Sequence, residues 1–438
     1  MEPGWVGSTI LETISQVAAR DPARSAVVEP NSKLTYSGLN EKSAELRDEL
    51  ALFSCTGLAI VGTRASDSVV ALVAALTSGT PVFVDKSLPH LIQKFEQGIL
   101  RHAGISHVYW KGRMRLLPGL QYVYRADPQI GPACLFTQTS GTTGAPKISA
   151  QAFVGIDYSF QSRLEYYGPQ SRDLVNLMPL GSDSALVGLI WPYLCGGTLR
   201  HLSSDQVDNA LGSEFSLKDR TILCIPEIAE ILVDEDVLNI RSASELILAG
   251  SPLMNSVADS LCERMNSTRI VNEYGPSECS IWTSVSDVRS SSDNPSIGVP
   301  LPGTTYSVAD GSSSGVLAIT GPGVGLGYID RHGLHPFDEQ PDVFVTSDIV
   351  ESKPDGSYMF AGRANGMAIS GFTIDPKVIE RALLKHPLLN SCSVRIDERG
   401  GLIAEYDAGF HSVEIPDLHQ QIEKELPTDK LNIRFQQV

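Results

Sequence analysis

Short apolar segments of strand length alternate with amphipathic segments of helical length along most of the chain. The stretch "STILETISQVAARDP" has apolar residues at helical spacing and ends at a proline, and "AVVEP" then has the composition of a strand. The pattern continues with the helix "LTYSGLNEKSAELRDEL", for which Ser37 is the predicted cap, the strand "GLAIVGT", the helix "SDSVVALVAALTSG" and the strand "TPVFVD". Such alternation predicts parallel strands covered by helices, which is an α/β fold.

The second half of the chain predicts a change of architecture. "LVNLMPL", "TILCIP", "ELILAG" and "TRIVNEYG" continue the strand pattern, but residues from about 284 to 361 are rich in Gly, Pro and Ser with short alternating strands. A compositional break follows at "AGRANG", and "KVIERALLKHP" then predicts a helix. We therefore expect a large N-terminal domain over 1–364, with mainly parallel sheets and a β-rich part at about 284–361. A small mobile α+β domain over 365–438 would follow a hinge at Asn365.

Composition narrows the class of protein. A length of 438 residues allows two or three domains, and a net charge of −17 disfavours nucleic acid as a partner. The seven cysteines form no C-x-x-C pair and have no His cluster beside them, which argues against a disulfide framework or a structural zinc site. The N-terminus lacks a signal-peptide pattern, and the longest apolar run, "VVALVAAL", is too short to span a membrane. The sequence predicts a cytoplasmic protein that does not bind membranes.

The stretch "FTQTSGTTGAPKIS" from Phe136 predicts a site for anions. Successive N–H groups in a Gly-rich turn form a concave anion nest, and Thr and Ser hydroxyls add donors that rotate toward phosphate oxygens. Gly141 and Gly144 permit close approach of the backbone, and Lys147 supplies a positive charge. The spacing is not that of a Walker loop. A flexible Ser/Gly linker is the alternative interpretation.

Six motifs in order resemble those of the adenylate-forming superfamily, which includes acyl-CoA synthetases, peptide-synthetase adenylation domains and luciferases. "TSGTTGAPK" resembles its phosphate loop, "AGSPL" its adenine-side loop, and "NEYGPSE" its Asn-x-Tyr-Gly-Pro-Thr-Glu motif with Ser277 in place of Thr. "GVLAITGPGVGLGYI" matches a Gly-rich β-region motif, "VTSD" resembles Thr-Gly-Asp, and "GRANGMAISGF" resembles the Gly-Arg-x-Asp hinge motif. The chain thereby resembles a short stand-alone adenylation domain.

The resemblance implies a site for ATP and Mg²⁺, in which a carboxylate attacks the α-phosphate to give an acyl-adenylate and pyrophosphate. Catalytic roles fall to Thr139, Lys147 and Glu278, and Glu278 would also bind the metal ion. Asp348 would accept hydrogen bonds from the ribose, and Arg363 would reach the ribose or a phosphate. The implied nucleotide-binding residues are Thr139, Ser140, Gly141, Thr142, Thr143, Gly144, Gly250, Ser251, Pro252, Asn272, Tyr274, Gly275, Asp348 and Arg363. Taken singly, Glu278 could be a solvated turn carboxylate, Tyr274 a core residue, and Asp348 or Arg363 a surface charge.

The segment "GSDSALVGLIWPYLCGGTL" bears on the acid substrate. Asp183 matches the Asp with which amino-acid-activating members bind the α-ammonium group, although Ser182 stands where they carry Phe. The resemblance implies an acyl pocket lined by Val187, Ile247, Ala249, Glu273, Ile281 and Trp282. Glu273 there would favour a polar or basic side chain, and an exposed loop position is its alternative. The acceptor of the acyl group would be the thiol of a carrier protein or of coenzyme A, or an amine.

Two departures keep a second function open. Asn365 replaces the hinge Asp, and no residue up to Val438 matches the Lys of the family's last motif, Gly-Lys. Either the chain is truncated, another group substitutes, or adenylation is inefficient. The sequence thus predicts a ligase that activates a small carboxylic acid, an amino acid in the first instance. The alternative is a degenerate adenylation domain that binds a nucleotide or a partner without turnover.

Overall fold

The computed structural model divides the chain into two compact units. The first unit comprises residues 1–306 and 318–345, and the second comprises 307–317 and 346–438. The structure describes residues 4–62, 64–85, 87–96, 98–117, 133–139, 147–202, 216–234, 237–288, 296–308, 312–364, 367–369, 372–374, 376–396, 402–409, 411–425 and 433–437. Within these ranges, no helix is long and apolar enough to cross a membrane.

Both helices and strands occur along the whole described chain. The helices are α1 (Trp5–Arg20), α2 (Tyr36–Leu52), α3 (Ala65–Ser78), α4 (Leu88–Glu96), α5 (Ile99–His102), α6 (Phe153–Tyr167), α7 (Asp183–Leu194), α8 (Pro226–Asp234), α9 (Asn255–Arg264), α10 (Pro376–Leu384) and α11 (Ile415–Glu425). The strands up to residue 201 are β1 (Ser25–Glu29), β2 (Ser32–Thr35), β3 (Leu58–Val61), β4 (Val82–Asp85), β5 (His107–Trp110), β6 (Arg113–Leu116), β7 (Ala133–Thr139), β8 (Lys147–Ala152), β9 (Asp173–Asn176) and β10 (Thr198–His201). The strands that follow are β11 (Thr221–Cys224), β12 (Glu245–Leu248), β13 (Arg269–Tyr274), β14 (Ser284–Val288), β15 (Ser296–Pro300), β16 (Thr305–Val308), β17 (Ser314–Thr320), β18 (Gly327–Asp330), β19 (Gly333–His335), β20 (Val343–Ser352), β21 (Tyr358–Arg363), β22 (Met367–Ile369), β23 (Phe372–Ile374), β24 (Ser391–Ile396), β25 (Leu402–Asp407) and β26 (Ile433–Gln437).

The first unit is built on two sheets. One, called here the first sheet, has the order β2-β1-β10-β9-β11-β12-β13-β14-β15, and its strands from β1 to β13 pair in parallel. The second sheet has the order β6-β5-β3-β4-β7-β8-β18-β19, with parallel pairs from β5 to β7. These largely parallel sheets confirm the α/β class predicted from the alternating pattern.

Helices α3 and α7 are apolar on all sides and belong to the central core. A helix of this kind needs apolar neighbours around its whole circumference, and nearly every residue of both helices is buried. Their core cluster includes Val27 of the first sheet and Ile60 of the second. Successive side chains of strand β12 point to opposite faces of the first sheet. Ile247 belongs to this central cluster, and Leu246 belongs to the cluster on the opposite face. Residues that extend from the first sheet toward α6 and α7 therefore meet this core.

The cap of α2 differs from the prediction. Thr35, not Ser37, is the N-cap, and its hydroxyl accepts the N–H of Gly38 at 3.1 Å. Thr35 is paired with Ser25 as the last residue of β2, so the chain stays extended up to this position. The helix can start only after the strand ends, which places Ser37 inside the first turn.

The second unit contains mainly antiparallel strand pairs, one parallel pair (β25 with β26) and two helices. Its strands β16, β17, β20 and β21 lie in that order, β22 pairs with β23, and β24, β25 and β26 form a three-stranded sheet. Helix α10 packs against β24 and α11. The predicted boundary at 364/365 falls inside this unit and stays a prediction, and Asn365 lies outside the described residues.

Candidate active site

The predicted phosphate loop lies between two paired strands. Strands β7 and β8 are antiparallel and place Thr139 opposite Lys147, so the two ends of the loop meet. Lys147 is exposed, and its Nζ lies 4.7 Å from the centre of the Tyr328 ring. Five predicted residues of the loop lie outside the described residues: Ser140, Gly141, Thr142, Thr143 and Gly144. Their contact with phosphate stays a prediction.

Glu278 is held in a 3₁₀ turn by groups from distant parts of the chain. Its carboxylate accepts the hydroxyl of Tyr328 at 2.6 Å, and its backbone carbonyl accepts the N–H of Gly325 at 2.8 Å. Gln151 of β8 supports the same turn by donating to the carbonyl of Ser277 at 2.7 Å. Glu278 is only 8% exposed, so its carboxylate is a partly desolvated oxygen ligand at a fixed position.

Tyr328 links two of the predicted catalytic side chains. Its ring faces the ammonium group of Lys147 and its hydroxyl donates to Glu278. Burial and the negative charge of Glu278 raise the pKa of this phenol well above its usual range, which keeps the proton on the donor. Sequence reasoning missed Tyr328 as a site residue, although it belongs to the quoted motif "GVLAITGPGVGLGYI".

The turn after Glu278 has a strained backbone. Ser280 has φ 56° and Ile281 has φ 85°, a region that branched side chains avoid. Ser280 donates to the carbonyl of Gly323 at 2.8 Å and to Gln151 at 3.2 Å. A Cβ on Gly275 would lie 2.3 Å from Cα of Trp282, so this turn folds directly over the glycine. The close packing holds the strained turn in place beside Glu278.

Asp183 lies at the start of α7 and contacts the loop that carries Glu278. One carboxylate oxygen accepts the N–H of Ser184 at 2.7 Å, and the other accepts the hydroxyl of Ser277. Gly250, with φ 80°, approaches the same helix end, because a Cβ there would lie 3.3 Å from the Ser184 hydroxyl. These residues follow the carboxyl ends of parallel strands β9, β12 and β13, the edge at which open α/β sheets bind ligands.

Two predicted nucleotide-binding residues of β13 also have structural contacts. The amide of Asn272 donates to the carbonyl of Ser296 at 2.9 Å, and Asn272 is 5% exposed. Tyr274 is half-buried with its ring edge-on to Tyr306, at 6.4 Å between ring centres. Ser251 and Pro252 are half-buried in the loop after β12. Contact of these residues with a nucleotide stays a prediction.

The apolar residues predicted for the acyl pocket belong to one cluster. Val187 of α7, Ile247 and Ala249 at the end of β12, and Ile281 and Trp282 after the strained turn are all less than 10% exposed. The indole N–H of Trp282 donates to the carbonyl of Ser159 in α6 at 3.0 Å. These side chains lie far apart in sequence but share the central core cluster, in which Val187 follows Asp183 by four residues on α7. Their role as an acyl pocket stays a prediction.

Glu273 is part of a buried ion pair. Its two carboxylate oxygens accept hydrogen bonds from the two terminal nitrogens of Arg163 at 2.8 and 2.7 Å. The hydroxyl of Tyr167 donates a third hydrogen bond at 2.6 Å. Sequence reasoning considered Glu273 as a pocket carboxylate and missed Arg163. The available signal was that Arg163 lies on the same face of α6 as Ile156, Phe160 and Tyr167, and a charge on a core-facing position needs a partner.

Asp348 and Arg363 meet within the second unit. They are directly opposite each other on β20 and β21, and Nε of Arg363 lies 2.9 Å from the Asp348 carboxylate. The hydroxyl of Thr346 accepts the N–H of Asp348 at 2.9 Å. Two residues that the sequence assigns to the ribose are therefore neighbours, and their contact with a nucleotide stays a prediction.

Comparison with known proteins finds relatives of this chain. The family model "AMP-binding enzyme" matches residues 125–329. Tyrocidine synthase 3 of Brevibacillus parabrevis is 26% identical over 96% of this chain, and bacitracin synthase 1 of Bacillus licheniformis is 25% identical over 90%. The chain spans only 7% and 8% of the lengths of these two proteins.

A solved structure shares the fold over most of its length. O-succinylbenzoate coenzyme A synthetase of Bacillus subtilis in complex with AMP has a TM-score of 0.74 and 20% identity, covering 97% of this chain and 94% of that one. The same enzyme has also been solved with ATP and magnesium.

Proposed function

Because the chain belongs to the adenylate-forming superfamily, we propose that it activates a carboxylic acid with ATP. The acid's carboxylate would attack the α-phosphate, giving an acyl-adenylate and pyrophosphate, and the acyl group would pass to a thiol or an amine. The observation that carries this proposal is the set of contacts from Lys147 through Tyr328 to Glu278, and from Ser277 to Asp183, at the carboxyl edge of the parallel strands. A cation beside a buried carboxylate, with a second carboxylate one hydrogen bond away through Ser277, supports the roles proposed for Lys147, Glu278 and Asp183.

The reaction joins two anions, so the site must position them and neutralise charge. Lys147 and the loop from Thr139 would hold the β- and γ-phosphates. The Glu278 carboxylate, partly desolvated and oriented by Tyr328, would hold Mg²⁺, a hard ion that prefers oxygen ligands. The metal ion would supply neutralisation of phosphate charge. Tyr328 keeps its proton and fixes the orientation of the carboxylate.

For the nucleoside, we propose the residues that the motifs select. Tyr274 would lie on the adenine face, with Gly250, Ser251 and Pro252 opposite, and Asp348 with Arg363 would bind the ribose. The solved neighbour that binds AMP, and ATP with magnesium, supports this choice of cofactors.

We propose an amino acid as the acid, since Asp183 is a half-buried carboxylate that accepts hydrogen bonds from two hydroxyls and a backbone N–H. A carboxylate of this kind suits an α-ammonium group. Transfer to a carrier protein or coenzyme A would follow.

The test is acid-dependent exchange of pyrophosphate into ATP over a panel of amino, aryl and fatty acids. We expect exchange with amino acids, and loss of at least about 10-fold in Asp183→Ala, as for removal of one charged hydrogen-bond partner. Asp173→Ala is the matched control, because Asp173 pairs with Arg200 and Arg220 at the amino end of β9. ATP binding without exchange for any acid would instead favour the degenerate nucleotide-binding domain.

A further inference from the structure

The ion pair of Arg163 and Glu273 is enclosed by aromatic rings. The guanidinium carbon lies 4.4 Å from the ring centre of Trp282, 4.9 Å from Trp191 and 5.5 Å from Tyr167. Arg163 is 0% exposed and Glu273 is 6% exposed. The cation is thus paired in its plane by a carboxylate and covered on its faces by π-systems, which attract a desolvated cation.

The ion pair lies against Trp191 of α7, eight residues after Asp183 on the same helix. Asp183, Val187 and Trp191 follow one another at intervals of four residues and share one side of the helix. A rise of 1.5 Å per residue puts Trp191 about 12 Å along the axis from Asp183. Glu273 likewise precedes Ser277, the residue that contacts Asp183, by four positions. A substrate anchored by its ammonium group at Asp183 would direct its side chain along Val187 toward the ion pair.

The pair presents no net charge to that side chain. Both oxygens of Glu273 are already bound by Arg163, and a cationic substrate could pair with Glu273 only by displacing the arginine. An anionic substrate would have to displace Glu273 from Arg163. Either exchange would leave one charged group buried without its partner, which is unfavourable.

We propose that Arg163 and Glu273 together determine specificity, closing the acyl pocket to charged side chains so that the protein activates an amino acid with an uncharged, apolar side chain. This inference rests on the proposed adenylation. The remaining wall, formed by Val187, Ile247, Ala249, Ile281 and Trp282, is apolar and agrees with that substrate class. Glu273 acts here as the neutralising partner of Arg163, in contrast to the direct substrate contact expected from the sequence.

The experiment compares kcat/KM in pyrophosphate exchange for Leu and Phe with that for Lys, Arg, Asp and Glu. We expect the wild-type chain to prefer the best apolar acid over each charged acid by at least about 100-fold. Arg163→Met leaves Glu273 unpaired and should move the preference toward Lys and Arg by at least about 10-fold, whereas Glu273→Gln leaves Arg163 unpaired and should move it toward Asp and Glu.

The double variant Arg163→Met with Glu273→Leu keeps the proposal testable if a single variant fails to fold, because it removes both charges. It should restore the apolar preference. Arg264→Met is the matched control, since Arg264 pairs with Asp234 at the surface, and its preference should equal that of the wild type. Melting temperature and ATP binding identify folded variants.

Three results would overturn the inference. If the wild type prefers a charged amino acid, the inference is wrong but adenylation stands. The same conclusion follows if Arg163→Met and Glu273→Gln shift the substrate preference in the same direction. Absence of exchange with every acid, together with normal ATP binding, would remove both the inference and the proposed function.

Discussion

Tyr328 is the residue whose role can be tested most directly, because one atom makes the contact. Tyr328→Phe removes the hydroxyl that donates to Glu278 at 2.6 Å and keeps the ring that faces Lys147. A hydrogen bond to a charged group is worth about 1.5–3 kcal/mol, so we expect kcat/KM for exchange to fall by about 10- to 100-fold with a higher requirement for Mg²⁺. The measurement is a magnesium titration of exchange at saturating acid.

Tyr193→Phe is the control for this experiment. Tyr193 is fully buried and its hydroxyl donates to the carbonyl of Ala26 at 3.2 Å, so the substitution removes a comparable group away from Glu278. An unchanged magnesium titration in Tyr328→Phe would contradict a role in orienting the Glu278 carboxylate.

The site residues show what a sequence can and cannot reveal. Asp183, Glu278 and Lys147 were assigned because each stands in a short motif whose order along the chain is informative. Arg163 was missed because its partner Glu273 is 110 residues away, and no local pattern encodes a pair at that separation. Partners of buried charges depend on packing between elements, which only the structure provides.

His201 gives the chain a predicted dependence on pH. It is 4% exposed, its Nδ1 has no hydrogen-bond partner in the described part of the chain, and burial lowers its pKa from 6.5 to about 4. The unfolded chain therefore binds a proton before the folded one as pH falls. Above about pH 6.5 this histidine does not reduce the free energy of unfolding. Between about pH 6.5 and pH 4 the free energy of unfolding falls progressively, by about 3 kcal/mol in total.

Denaturant unfolding of the wild type and His201→Gln at pH 7 and pH 4.5 tests this dependence. Glutamine is neutral at both values, so the wild type should lose more free energy of unfolding than the variant on acidification. His332→Gln, at an exposed position, should behave like the wild type. Equal losses in the wild type and His201→Gln would show that His201 does not contribute.

Among the elements, α2 shows how a strand decides where a helix begins. The sequence predicted Ser37 as the cap, from the position of its hydroxyl before the amphipathic segment. The pairing of β2 with β1 keeps Thr35 extended, with ψ 165°, and so makes it the cap. By contrast, the sequence alone predicts that a strongly apolar segment such as α3 is a buried helix. Its own residues carry the pattern, so no knowledge of distant residues is needed.

Thr35→Ala and Ser37→Ala form a matched pair that tests this assignment. Loss of the cap should lower the free energy of unfolding by about 1 kcal/mol in Thr35→Ala. Ser37→Ala should change it by less than about 0.5 kcal/mol, because a surface residue in the first turn makes no capping bond. Denaturant unfolding measures both, and the opposite order would restore Ser37 as the cap.

At the scale of the whole molecule, the alternating pattern predicted the sheets, but the limits of the domains are harder to read. The composition changes at "AGRANG", which suggested a boundary at 364/365. The compact units have one division at 345/346, and the second unit also takes residues 307–317 from an earlier part of the chain. The domain boundary at 364/365 stays a prediction. A local change in composition cannot reveal a segment that packs with residues farther along the sequence.

Two fragments, 1–345 and 1–364, distinguish these boundaries. Within the second unit, the N–H of Ser352 donates to the carbonyl of Ser313 at 2.7 Å. The hydroxyl of Thr346 donates to the carbonyl of Leu317 at 3.0 Å. Fragment 1–345 loses these donors and leaves the edge of β17 that faces β20 without most of its partner strand, whereas fragment 1–364 keeps β20 and β21. Unpaired edges associate, so we expect sedimentation to show a monomer for 1–364 and larger species for 1–345. Hydrogen exchange at 313–317 should be faster in the shorter fragment, and a monomeric, equally protected 1–345 would mean that the segment does not need its partners from beyond residue 345.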